Sequence, residues 1–340
     1  MHSKKRYQNS NKLRNMPLFK RGSMRRLRQI KFYQRYLRTS LKKLPTTEII
    51  RIANPFWLST PSMPPMLSLE FTNYCNLRCP YCSSPDNGRD KGYMSQTTFS
   101  NLLAQFETPG IHFVRIVGGG EPTLHPNFAD FASRLAVKTS FLTLITNWQH
   151  VDDQTLQAVI EAPVDMISIS VDGMNKTEYE KWRVGGDFER LLDNLKRLRS
   201  AKAAAHADIL ICIRLMLHPT QQEKTHDMIK FWRQYSDTVQ TQPILHFGDN
   251  EPVGTFTPQT VMKRCAMPFR TLDIHWNGNV SMCSYSKCQL DNPNGLQLGN
   301  INDTSLETMW NSPTMQQCRN RHRTRQPELF PLCNDCPGAT

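Results

Sequence analysis

The chemistry in this sequence starts with thiols. Cys75, Cys79 and Cys82 stand in the stretch "FTNYCNLRCPYCSSP" with three and then two residues between them. A structural zinc site closes on four ligands, and this claw offers three. A remote histidine such as His112 or His125 would complete it as a zinc knuckle. Alternatively, three thiolates hold three irons of a [4Fe–4S] cube and leave the fourth iron open to an outside ligand. A second set lies near the C-terminus. Cys265 is followed by twelve residues, Gly278, four residues and Cys283, and "LCNDC" then supplies Cys333 and Cys336. A C-x2-C pair plus two distant thiols makes a four-thiolate site for zinc or for a fully ligated cluster. Gly278 reads as a tight turn ahead of Cys283. Cys288 and Cys318 are left without a role, and either is able to replace one of those four. Cys212, inside an apolar run, reads as a buried thiol.

The claw needs a scaffold, and the pattern around it supplies one. Short apolar, β-rich runs occur at 66–72, 111–117, 141–146, 166–171, 208–217 and 238–247. Helical patterns lie between them, most clearly "DFERLLDNLKRLRS", with Asp187 as N-cap and Phe188, Leu191, Leu192, Leu195 and Leu198 on one face. Strand alternating with helix predicts a parallel sheet, rolled or open. In such folds the reacting groups sit at the C-terminal ends of strands. The claw follows the first run, "GGGEP" (118–122) the second, "TNW" (146–148) the third and "SVDG" (170–173) the fourth. "HPT" and "HFGD" end the fifth and sixth, and His246 and Asp249 of the latter are open as substrate contacts or loop residues. All six converge on one mouth.

The spacing C-x3-C-x2-aromatic-C, here Cys75, Cys79, Tyr81 and Cys82, together with Gly119, Gly120, Glu121 and Pro122, resembles the radical S-adenosylmethionine superfamily over roughly residues 64 to 250. The resemblance implies a partial (β/α)6, TIM-like barrel in an α/β chain. It implies a [4Fe–4S] cluster whose open iron is chelated by S-adenosylmethionine, with Gly119 and Gly120 approaching the methionyl amine, Glu121 helping to fix that cation and Tyr81 near the adenine. Ser170 and Asp172 are placed for ribose or carboxylate contacts, and Arg214 for pairing the carboxylate. Reduction of the sulfonium would give a 5′-deoxyadenosyl radical that removes a substrate hydrogen. The second cysteine set resembles the SPASM/Twitch extension, which implies one auxiliary [4Fe–4S] cluster held by Cys265, Cys283, Cys333 and Cys336. The C-x2-C-x5-C-x3-C run of the two-cluster form is absent from the sequence. A flavodoxin- or ferredoxin-type reductant is implied as partner.

Composition bounds the rest. With 340 residues, 39% hydrophobic and 21% charged, the chain reads as a globular enzyme of more than one domain. The expected division is a basic segment (1–62), a barrel (63–250) and a small cysteine-rich α+β domain (251–340). The formal net charge is +13, yet residues 1–45 alone carry fifteen Lys and Arg and no acid, so the body is near neutral. The tail contains an amphipathic helical stripe over residues 24–44, suited to docking on the body, an anionic membrane or an acidic partner. Nucleic acid is disfavoured because the charge does not line the site. No apolar run reaches membrane-spanning length and no signal peptide is visible. The expected location is cytoplasmic, with membrane-surface contact open. No peptide-leader-binding domain is legible before the barrel, which tilts the expected substrate toward a carbohydrate-like or other small molecule, oxidised or epimerised. The alternatives are a maturase acting on a ribosomal peptide and a non-enzymatic iron–sulfur or zinc protein.

Overall fold

The computed structural model describes residues 60–82, 89–162, 164–243, 265–283, 297–324 and 333. The tail helix, His246, Asp249, Cys288 and Cys336 lie outside them. Six strands follow the apolar runs: β1 (Met66–Leu69), β2 (Phe113–Ile116), β3 (Phe141–Thr146), β4 (Met166–Val171), β5 (Leu210–Leu217) and β6 (Thr238–Pro243). Between them lie α1 (Gln96–Ala104), α2 (Phe128–Ala136), α3 (Asp153–Glu161), α4 (Lys176–Trp182), α5 (Phe188–Ala204) and α6 (Thr225–Arg233). Asp187 caps α5 by accepting from the Arg190 amide, as its position before the apolar stripe predicts. β1 to β6 pair in parallel in sequence order, which is the open partial barrel.

The strands alternate cleanly. Leu67, Leu69, Val114, Ile116, Leu142 and Leu144 bury into a core shared with the helices, where Phe99 of α1 stacks on Phe131 of α2 at 3.8 Å between centroids. The intervening residues face the other side, and many of them are polar: Ser68, Arg115, Thr143, Ser168, Arg214 and Gln242.

The cysteine-rich region shares this sheet. β7 (Thr271–Ile274) pairs in parallel with β1, and β8 (Asn279–Ser281) and β9 (Gln297–Asn300) add antiparallel strands beyond it. The nine strands run β6-β5-β4-β3-β2-β1-β7-β8-β9. Gly278 closes the β7–β8 hairpin at φ +88°, where a Cβ would stand 2.6 Å from both Asn300 Oδ1 and Asn302 Nδ2. Two helices follow, α7 (Leu306–Trp310) and α8 (Pro313–Arg323). No helix among the described residues is long and apolar enough to cross a membrane.

Candidate functional site: a thiol claw braced by three loops

The loop after β1 is held at both ends before it reaches the cysteines. Thr72 Oγ1 donates to Gly92 O (2.7 Å), and Asn73 donates to Asp90 O and accepts from the Gly92 amide. Within the claw the Cys82 amide donates to Cys79 O (3.0 Å), folding the last two cysteines back on each other. Leu77, Cys79 and Tyr81 are buried together, with Cys75, Cys82, Trp182 and Met216 against them. N–H groups point at the sulfurs: Leu77 N to Cys75 Sγ at 3.4 Å, Asn147 Nδ2 to Cys75 Sγ at 4.0 Å and Arg183 Nη1 to Cys79 Sγ at 3.8 Å. Burial pushes the Cys75 thiol up to about 12. The Leu77 amide pulls it down, while Glu121, Cys79 and Cys82 push it further up. Cys75 thus feels both other thiols of the claw, and three thiols on one loop are the donor set of a cationic cluster, which would reverse that shift by deprotonating them. The residues fit the cluster. They do not fit the zinc knuckle: His125 already uses both ring nitrogens, on Met94 O and on the Asn127 amide, and His112 lies at the opposite, N-terminal end of β2.

The glycine motif is pressed onto this loop. A Cβ on Gly120 would meet Tyr74 O at 2.3 Å and Thr72 O at 2.6 Å, and the Glu121 amide donates to Tyr74 O (2.8 Å). The bare backbone at Gly120 is therefore required by the claw itself, beside the approach to a ligand amine expected of it. Glu121, also assigned to that cation, is 2% exposed and already satisfied by protein. Its carboxylate accepts from Thr123 N and Oγ1, Thr146 Oγ1 (2.6 Å) and the Asn147 amide (2.7 Å). Burial raises its pKa and these four bonds oppose the rise. Glu121 thus joins the β2 loop to the end of β3. Asn147 carries the chain on to the claw, donating to Asn76 Oδ1 at 2.8 Å. Next to it Trp148 is held at φ 56°, a conformation bulky residues rarely adopt, with its amide on Thr146 Oγ1 and its indole on Asn194 O.

The third brace carries charge. Asp172, at the end of β4, is fully buried, accepts from Tyr81 Oη and from Arg183 Nη2 (3.3 Å), and forms an ion pair with the Arg183 guanidinium at 2.6 Å. Burial lifts the Asp172 carboxyl above the usual range, with Arg183 pulling it back. Asp172 holds Tyr81 and Arg183, and its expected contact with a ribose or carboxylate stands beside that. Arg183, at the C-terminus of α4, is the guanidinium beside the claw. Arg214, the expected carboxylate partner, instead bonds Gln242 Oε1 at 3.2 Å on β6, and Ser170 lies beside it in register on β4. His218, after β5, is buried, stacked on Trp182 at 3.5 Å and edge-on to Tyr81, and burial brings its pKa down to about 4.

Glu70, one residue beyond β1, links the claw to the C-terminal strands. Arg89 meets it with both terminal nitrogens (2.6 and 3.3 Å), Gly119 N donates to it (2.6 Å), and His275 Nδ1 lies 3.6 Å away. His275, just past β7, reaches Ser281 Oγ on β8 through its other nitrogen at 3.0 Å.

The second thiol group also converges, with a member the sequence left unassigned. Cys318 of α8 is fully buried, hydrogen-bonds to Cys333 and feels Cys333, Cys283 and Cys265 as charged neighbours. Hydrogen bonding from Cys318 lowers the Cys333 thiol to about 5 against its burial, helped by His322. His322 Nδ1 accepts from the Cys265 amide (3.2 Å), so its proton sits on Nε2, which donates toward Cys333 Sγ at 3.5 Å. Cys318→Ser is expected to lower iron bound by the C-terminal region by about four atoms per chain, with Cys288→Ser as the comparison. Equal iron in the Cys318→Ser protein would remove it from the donor set.

Comparison with known proteins follows the same division. Residues 69–231 match the family model of the radical SAM superfamily, and residues 265–337 match SPASM, an iron–sulfur cluster-binding domain. The chain is 26% identical over 186 residues to a GTP 3′,8-cyclase of Chlorobaculum tepidum, covering 54% of each protein. It is 29% identical over 162 residues to mycofactocin maturase MftC of Mycobacterium ulcerans, covering 47% of this chain and 42% of that protein. The matches thus span about half the length of these relatives. Streptococcus suis SuiB bound to its precursor peptide SuiA shares the fold at TM-score 0.57 and 13% identity, over 80% of this chain and 70% of that one.

Proposed function

The chain belongs to the radical S-adenosylmethionine superfamily and carries a SPASM-type iron–sulfur cluster-binding domain, and on that premise we propose that it is an enzyme that removes a hydrogen atom from a ribosomally made peptide. When bound, a [4Fe–4S] cluster with S-adenosylmethionine supplies reductive cleavage of the sulfonium and a 5′-deoxyadenosyl radical. Cys75, Cys79 and Cys82 would hold that cluster. Leu77, Trp182 and Met216 wall it with apolar surface and keep water off. Arg183, fixed by Asp172, presents the cation for the methionyl carboxylate in place of Arg214. Glu121 and Asn147 keep the claw aligned with the strand ends. Electrons come from an external one-electron donor.

The observation that supports the reading best is the claw itself: Cys75 feels Cys79 and Cys82, N–H donors reach the sulfurs of Cys75 and Cys79, and Gly120 is pressed against the loop at the mouth of a parallel barrel. The peptide is favoured by the relatives, since MftC is a maturase and SuiB is seen with a precursor peptide. A small-molecule substrate is the second reading, supported by the similarity to GTP 3′,8-cyclase. The test is anaerobic reconstitution with iron and sulfide, then incubation with S-adenosylmethionine and dithionite. 5′-Deoxyadenosine should form, and short peptides encoded beside the gene should accelerate it and lose mass by hydrogen atoms. No 5′-deoxyadenosine would sink the reading. Acceleration by GTP or a sugar, with every peptide inert, would favour the second.

A further inference from the structure

The interior of a closed parallel barrel is normally packed with branched apolar side chains. The face of this sheet turned away from α1 to α6 is built otherwise. Ser68 on β1, Arg115 on β2 and Asp273 on β7 lie side by side in register, and Arg214 on β5 stands level with Ser170. Their strand neighbours Leu67, Val114, Leu272 and Ile213 all bury into the core on the helix side. Alternation therefore places both arginines on the lumen side. Arg115 Nη2 donates to Ser68 Oγ at 2.7 Å and Arg214 Nη1 to Gln242 Oε1 at 3.2 Å, while the buried Nε of each has no hydrogen-bond partner among the described residues. Arg115 is lowered by burial, raised by Asp273 and lowered again by Arg214, so one carboxylate and a second guanidinium both lie within electrostatic reach of it.

We propose that Arg115 and Arg214 form a carboxylate-binding subsite for the substrate in the barrel lumen. The inference deepens the functional reading above and rests on it. Two guanidiniums against the Asp273 carboxylate leave one positive charge, which matches a single carboxylate better than a doubly charged phosphate. The guanidinium fork suits a planar carboxylate, and the buried Nε of each arginine is a donor that no described residue satisfies. The placement is directional. Thr143 and Met166 carry the level of Arg115 across to Leu210, four residues before Arg214 on β5. Arg115 therefore sits deep in the lumen and Arg214 nearer the mouth where the claw stands. An acid group held between them leaves the remainder of the substrate directed toward the claw. On a peptide, the group is an Asp or Glu side chain or the C-terminus.

The test is thermal denaturation of the full chain in glutarate, inorganic phosphate and chloride at matched ionic strength. Glutarate should raise the midpoint in a saturable way, more than phosphate does. In Arg214→Gln the half-saturating glutarate concentration should rise about tenfold or more. Arg115→Lys, which keeps the charge and loses the fork, should show a rise of the same kind, and the exposed Arg190→Gln should show none. The proposal is overturned by the absence of a saturable glutarate shift, by an unchanged shift in Arg214→Gln, or by phosphate stabilising more strongly than glutarate. 5′-Deoxyadenosine formation by the wild-type protein is scored separately. Glutarate binding without that product overturns the functional reading alone, and the product without glutarate binding overturns the subsite alone.

Discussion

Cys79→Ala is expected to abolish 5′-deoxyadenosine formation and to remove about four irons per chain after anaerobic reconstitution, leaving about four in the C-terminal set. Cys79 is the buried thiol of the claw, and Arg183 Nη1 lies 3.8 Å from its sulfur. With one corner gone, Cys75 and Cys82 offer two thiolates, and no other described side chain is placed to substitute, since His125 is engaged on both nitrogens. The fold should survive, because Leu77, Cys79 and Tyr81 form a satellite group outside the main core. Far-ultraviolet circular dichroism should match wild type while iron and sulfide analysis shows the loss. Product formation at an unchanged rate in this variant would overturn the assignment of the claw.

The parts legible in the sequence were those whose cause is local. Three cysteines within eight residues, a glycine run after a strand and an Asp187 cap before an apolar stripe each need only their neighbours to be recognised. The parts that escaped depend on residues far apart in sequence. Arg183 meets Cys79 across 104 positions, and its signal was no more than an arginine at the end of a helix, next to Trp182. Arg214 drew attention by lying in a strand, and strand alternation turns it into the lumen, where Gln242 and not the claw takes its Nη1. Asp172 and Glu121 were rightly marked as unusual acids at strand ends. A sequence does not disclose that a carboxylate already has partners within the protein, as these have in Tyr81 and Arg183 and in Thr123, Thr146 and Asn147. Cys318 lacked a neighbouring cysteine, and only the turn of α8 brings it beside Cys333. The change of rhythm after residue 250 was visible, whereas the pairing of β7 with β1 rests on a four-residue strand too short to announce its partner.

Glu70→Gln is expected to be the most destabilising isosteric change in the described core, costing about 3–5 kcal/mol, the range for removing one partner of a buried ion pair. The Glu70 side chain is 0% exposed and that of Arg89 is 6% exposed. An amide in place of the carboxylate leaves the guanidinium buried without its counter-charge. Against the 5–15 kcal/mol stability usual for a globular domain, this is a large fraction. The penalty belongs to the stranded charge and not to a lost attraction, so the sign of a second substitution separates the two accounts. Arg89→Met in the Glu70→Gln background removes the stranded cation and should recover stability, giving a coupling of opposite sign to the single losses. Denaturant titrations of the four chains of this cycle measure it, and simple addition of the two losses would refute the account. Function should not recover with stability. Gly119 N donates to Glu70 Oε2 and His275 approaches Oε1, so the same carboxylate sets the glycine run against the claw and the claw against β7. The double variant should therefore fold well, retain both thiol groups, and still form 5′-deoxyadenosine more slowly than wild type. A double variant with wild-type rate would show that Glu70 serves the fold alone.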